Sequence, residues 1–92
     1  MWNTAAIREL LIAAFSDEEL TTFCFDHFFG VYEKFGQNMG KSQKVHVLIE
    51  YCIRRGSIES LLDLVQQDNL VQFRRFEQQL GHTQETGLRS AR

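Results

Sequence analysis

The chain has 92 residues, 43% of them hydrophobic and 24% charged, with a formal net charge of −2, two cysteines and no proline. That length holds one domain, and the balance of apolar to charged residues is that of a folded protein rather than a disordered one. The small negative charge supplies no global field for nucleic acid or an anionic membrane, and no apolar run approaches the roughly 20 residues of a membrane-spanning helix.

Asn3 or Thr4 is a good cap for a first helix, and Trp2 before it can staple onto the helix face. Ile7, Leu10, Leu11 and Ala14 follow the i, i+3, i+4, i+7 spacing of one buried face. Ser16-Asp17-Glu18-Glu19 opens a second helix with a capping box, Ser16 taking a free N–H and Glu19 reaching back three residues. The three carboxylates also suit the positive end of the helix dipole. Leu20, Phe23, Cys24, His27 and Phe28 form its main stripe, and Phe25 and Phe29 form a second one. The apolar arc therefore covers over half of the helix, which is either central in a bundle or keeps an aromatic face for a partner.

Gly30 is expected to stop this helix in a left-handed conformation. Tyr32 and Phe35 can anchor a single helical turn, and Gly36 to Gly40 is loop. Ser42 is the expected cap of the next helix, whose face carries Val45, Leu48, Ile49, Cys52 and Ile53, with Val47 and Tyr51 on another side. Arg54-Arg55-Gly56 closes it with cations in the last turn and glycine beyond. Ser57 caps a shorter helix carrying Leu61, Leu62 and Val65. Asp68 or Asn69 starts the last helix, with Leu70, Phe73, Phe76 and Leu80 buried, Arg74 and Arg75 pointing elsewhere and Gly81 as its stop. His82 to Arg92 is polar and aperiodic, a tail or linker. The expectation is an all-α, compact antiparallel bundle of five to six helices over residues 1–81, followed by a tail over 82–92.

Few residues suggest chemistry. Cys24 and His27 lie three apart on one face, a spacing that can pair thiolate with imidazole or supply half a metal site. No second Cys/His pair completes four ligands, and two buried free thiols in a reducing cytoplasm account for Cys24 and Cys52. His46 and His82 have no evident partners. The carboxylates at 17–19 are explained by capping. Gly36 to Ser42 lacks one residue of the phosphate-loop spacing, and no apolar strand precedes it. No catalytic residue, cofactor or metal is expected. A nucleic-acid-binding module using Lys41 to Arg55 as a recognition helix is the alternative, weakened by the absence of a positive domain charge.

The charge distribution says more than the total. From Met1 to Glu33, Arg8 alone stands against Glu9, Asp17, Glu18, Glu19, Asp26 and Glu33, a net of −5. From Lys34 to Gly56, Lys34, Lys41, Lys44, Arg54 and Arg55 stand against Glu50, a net of +4. Opposite patches on one small body suit association between identical copies, and they equally suit two ordinary solvated faces.

The runs Phe15-Ser16-Asp17-Glu18-Glu19-Leu20, Phe23-Cys24-Phe25-Asp26, Val31-Tyr32-Glu33, Gly40-Lys41, Leu48-Ile49 and Arg54-Arg55-Gly56, with Leu61 beyond, resemble the effector-associated domains of bacterial conflict systems. The resemblance spans roughly Ile7 to Val65. It implies a death-fold-like six-helix module that pairs with like domains and recruits peptidase, TIR or NTPase effectors. The aromatic run His27-Phe28-Phe29 departs from the family pattern. The matching positions imply that Leu20 and Cys24 are core. Asp26 lies near a helix C-terminus, where the dipole disfavours an acid, so a partner among Arg54, Arg55 and Lys41 is expected. The interface candidates are Asp17, Glu18, Glu19, Asp26, Lys41, Arg54, Arg55, Arg74, Arg75, Phe25 and Phe29, and the expected partners are like domains in a homo-oligomer or filament.

Overall fold

Six helices in chain order, followed by one 3₁₀ turn, make up the computed structural model, which describes residues 2–80. Helix α1 spans Thr4–Ala14, and the Asn3 side chain caps it by accepting from the Ala6 N–H at 3.1 Å. Helix α2 spans Asp17–His27 behind the expected capping box. The Glu19 N–H donates to Ser16 Oγ at 3.1 Å, and the Ser16 N–H donates to Glu19 Oε1 at 2.9 Å. Such a box satisfies two N–H groups that the helix leaves orphaned.

The end of α2 departs from expectation. Gly30 is not its stop. The helix ends at His27 with Phe28 in a non-helical conformation, and Gly30 sits inside the single-turn helix α3, Phe29–Tyr32. The need for glycine there is steric. A Cβ on Gly30 would lie 2.8 Å from Tyr51 Oη, so the glycine admits the tyrosine side chain of a later helix.

Helix α4 spans Lys41–Arg55 and packs against α1, α2, α3 and α5, which makes it the central helix. Its cap is Gly40 rather than Ser42, with the Gly40 N–H donating to Gln43 Oε1 at 3.2 Å. Gly56 ends it as expected, at φ 67°, and the Ser57 N–H closes back onto the Cys52 carbonyl at 2.8 Å. This left-handed position is where a side chain would be strained.

Helix α5, Ile58–Asp68, follows Ser57, and helix α6, Leu70–Phe76, follows Asn69. Asn69 has two roles. Its Oδ1 accepts from the Gln72 N–H at 3.2 Å and caps α6, while its Nδ2 donates to the Ala14 carbonyl at 3.2 Å and satisfies the end of α1. A 3₁₀ turn, Glu77–Gln79, brings Leu80 into the core. The Leu80 carbonyl accepts from the Asn3 N–H at 2.7 Å, so the two ends of the described chain meet.

The core is apolar throughout the described residues. The side chains expected from helix α1, with Leu20, Phe23, Cys24, Val45, Leu48, Ile49, Cys52, Leu61, Leu62, Val65, Phe73 and Leu80, are all buried in one cluster. Two expectations fail, and a third holds in part, Phe76 being partly buried against the core. Ile53 is half exposed, because it borders two open grooves, one along Thr4 and Arg8 of α1 and one along Trp2, Ile58 and Glu59. Leu70 is also half exposed, because it is the first residue of a short helix that turns Phe73 inward. The stop at Gly81 and the segment 82–92, His82 included, lie outside the described residues.

Candidate interaction surface

The charged residues divide into those engaged within the chain and those facing solvent alone. The Lys44 ammonium, largely buried, binds Asp17 Oδ1 at 2.8 Å and Thr21 Oγ1 at 3.0 Å and lies 5.4 Å from the Phe35 ring centroid. It thereby ties α2 and the loop before α4 to α4. Lys41 donates to the Ile12 carbonyl at 2.7 Å, placing a cation at the negative end of α1, which has none of its own. Glu19 is held in the capping box. Arg54 pairs with Glu50 at 3.1 Å on the surface, and Arg55 lies 4.7 Å over the Tyr51 ring.

Asp26 meets none of the cations expected for it. Lys41, Arg54 and Arg55 are engaged as above, and Asp26 is exposed with no ion pair among the described residues. It lines, with no residue of α4 beside it, an open acidic groove of about 590 Å³ with Glu18, Glu19, Asp68 and Asn69. On another face lies a groove of the same size with Lys34, Tyr51, Arg54 and Arg55 along it and Glu50 as its single acid. The charge split along the sequence is therefore partly consumed inside the molecule and partly displayed as two grooves of opposite sign. Arg74 and Arg75 are exposed on α6 and line neither groove.

Phe25 and Phe29 are both about half exposed, at 51% and 49%, and they do not stand alone. Their rings meet edge to face at 5.4 Å, and Tyr32 joins both, at 5.0 Å from Phe25 and 5.5 Å from Phe29. These are favourable aromatic geometries, so the three rings form one contiguous cluster. Tyr32, Lys34 and Asp68 are not among the interface candidates expected from the sequence. Tyr32 continues the Phe25–Phe29 spacing and was within reach of it. Asp68 and Lys34 join their grooves only through packing between distant helices.

Cys24 and His27 are not a pair. Cys24 is buried and His27 is exposed on the acidic groove, its ring 5.1 Å from Phe23. Burial chiefly, and then Cys52 beside it, push the Cys24 thiol up to about 12 against the opposing pull of Lys44. Burial also raises Cys52, with the Ser57 hydroxyl opposing. Thiols held neutral in this way are poor nucleophiles and poor metal ligands. No group of three or more His, Cys, Asp or Glu is arranged to hold a metal ion among the described residues. No helix among them is long and apolar enough to cross a membrane.

Fold and surface together define a small all-α bundle with an apolar core and an exposed aromatic cluster. Residues 7–69 match the family of effector-associated domain 7, over half of the chain, and the protein belongs to that family. Membership links it to the effector systems of conflict pathways. No curated protein matches the chain, and no solved structure does.

Proposed function

We propose that this domain is a non-catalytic, death-fold-like adaptor of the cytoplasm that associates with like domains and so gathers effectors in bacterial immune or cell-death signalling. The observation that carries the reading is the Phe25–Phe29–Tyr32 cluster, on a chain that belongs to an effector-associated family. From the exposures of the three rings, on the order of 250 Å² of aromatic surface remains in water, and burying it is worth about 6 kcal/mol before the costs of association. An apolar patch of about this size is within the range of an ordinary monomer's largest patch, and such patches are often functional. The buried, neutral thiols of Cys24 and Cys52 suit a reducing compartment.

Light scattering on the purified domain, and on a Phe25→Ser/Phe29→Ser variant, tests the reading. The wild-type protein is expected to form oligomers whose mass rises with concentration. The double variant is expected to stay folded and shift toward monomer. A wild-type chain that stays monomeric to high concentration refutes homotypic association.

A further inference from the structure

We propose that copies of this domain join head to tail, with the Arg54–Arg55 end of α4 and Lys34 of one copy seated in the acidic groove of the next. The proposal rests on the adaptor reading and specifies its surfaces and polarity.

The acidic groove owes its negative character to Glu18, Glu19, Asp26 and Asp68. Ala14, His27 and Asp68, the last residues of α1, α2 and α5, all line it. Each helix C-terminus carries about half a negative charge on its unpaired carbonyls. The ends of α2 and α5 therefore lie beside Glu18, Glu19, Asp26 and Asp68, while the end of α1 is already offset by Lys41 on the Ile12 carbonyl and Asn69 on the Ala14 carbonyl. Asp26 and Asp68 each sit in the last turn of their own helix, and an acid there opposes the helix dipole. Neither has an ion pair among the described residues to offset that placement. The molecule thus carries a locally unfavourable concentration of negative potential that a cation from outside relieves.

The same chain carries the complement. Arg54 and Arg55 lie at the C-terminal end of α4 with Lys34 across the groove, and the Arg54 side chain is 75% exposed, so it projects from the surface. Its link to Glu50 is a solvated surface pair and is weak enough to exchange for a partner's carboxylate. The two grooves share no lining residue, so one copy cannot join its own. A second copy can. Because the two surfaces differ, each union leaves one free groove of each sign, and growth continues as a ring or filament. The aromatic cluster adjoins the basic groove through Phe29 and Gly30, which places apolar area beside the charged contact.

The test is complementation between two neutralised variants, E18Q/D26N/D68N and R54Q/R55Q, each checked for folding by its thermal melt. The acidic-groove variant is expected to melt near wild type, because removing acids from the C-terminal turns of α2 and α5 offsets the loss of Glu18 from the N-terminal turn of α2. Each variant alone is expected to associate at least tenfold more weakly than wild type. An equimolar mixture is expected to form a one-to-one dimer that grows no further, since each partner retains the groove that the other lacks. Salt near 1 M, where the Debye length is about 3 Å, is expected to disperse wild-type assemblies. Wild-type assembly matched by both variants overturns the surface assignment and leaves the adaptor reading standing. A mixture that stays monomeric also overturns the assignment. A wild-type protein that binds a polylysine peptide and remains monomeric overturns the adaptor reading, and this proposal with it.

Discussion

Replacing Asn69 by Ala removes two hydrogen bonds made by one side chain. The first caps α6, and loss of an Asn cap costs about 1 kcal/mol. The second satisfies the Ala14 carbonyl at the end of α1, and a bond of this kind contributes about 1 kcal/mol. Asn69→Ala is therefore expected to lower stability by about 2 kcal/mol, a fall of about 8–16 °C in Tm for a domain of this size. Asn69→Ser separates the two parts. Serine caps well but is too short to reach Ala14, so it is expected to cost about 1 kcal/mol. Asn69→Asp keeps the cap but turns a carboxylate toward the Ala14 carbonyl, in a groove that already holds Asp26 and Asp68. Its cost is expected to exceed that of serine and to shrink as salt rises. Urea unfolding followed by circular dichroism measures all three, with an unchanged m-value showing that the folded and unfolded states stay comparable. An alanine variant within about 0.5 kcal/mol of wild type, or a serine variant as unstable as alanine, refutes the double role.

The remaining expectations concern single sites. Gly56→Ala forces a side chain into the left-handed region at φ 67° and is expected to cost about 1–2 kcal/mol by chemical denaturation; a neutral result removes the strain argument. Gly30→Ala is expected to destabilise by about 1 kcal/mol in the wild-type chain, yet to stabilise slightly in a Tyr51→Leu background, where helix propensity acts unopposed; equal effects in both backgrounds contradict the steric account. The raised Cys24 thiol links stability to alkali. Below the ordinary thiol value, near pH 8.5, Cys24 is neutral both folded and unfolded. Above it only the unfolded thiol ionises until about pH 12, so stability falls with rising pH, by up to about 1.4 kcal/mol per unit from this group. Urea titrations between pH 8 and 11 are expected to show a shallower decline for Cys24→Ala than for wild type, and parallel curves count against the shift.

Much local chemistry is legible in the sequence where its partners lie within a turn, the cap of α4 at Gly40 and Gln43 being an exception. Ser16 and Glu19 lie three residues apart, and their capping box forms as read. Gly56 follows two arginines and terminates α4 as read. The stripes of α1 and α5 are buried because helix period alone decides which side chains share a face. What escaped notice depends on residues far apart. Gly30 has the composition of a helix stop, and only Tyr51, packing onto it from α4, reveals a close approach instead. Asn69 reads as a cap, but its bond to Ala14 crosses 55 positions. Asp26 reads as an acid in search of Arg54, Arg55 or Lys41, yet it lines a groove that none of the three reaches. The exposed Phe25–Phe29 stripe could be foreseen, because a helix with apolar residues on most of its circumference cannot bury them all in so small a body.

The bond from the Asn3 N–H to the Leu80 carbonyl has an architectural consequence. Polypeptide arriving at Asn3 and polypeptide departing from Leu80 do so side by side. A cargo attached at either end would hang from the same pole of the bundle, so the order of domains along a gene need not alter the geometry of the assembled machine. The same proximity makes the domain portable. It can be spliced into an exposed loop of another protein as a closed detour, or have its ends joined and be reopened at the Gly36–Gly40 loop, with the core left as it is.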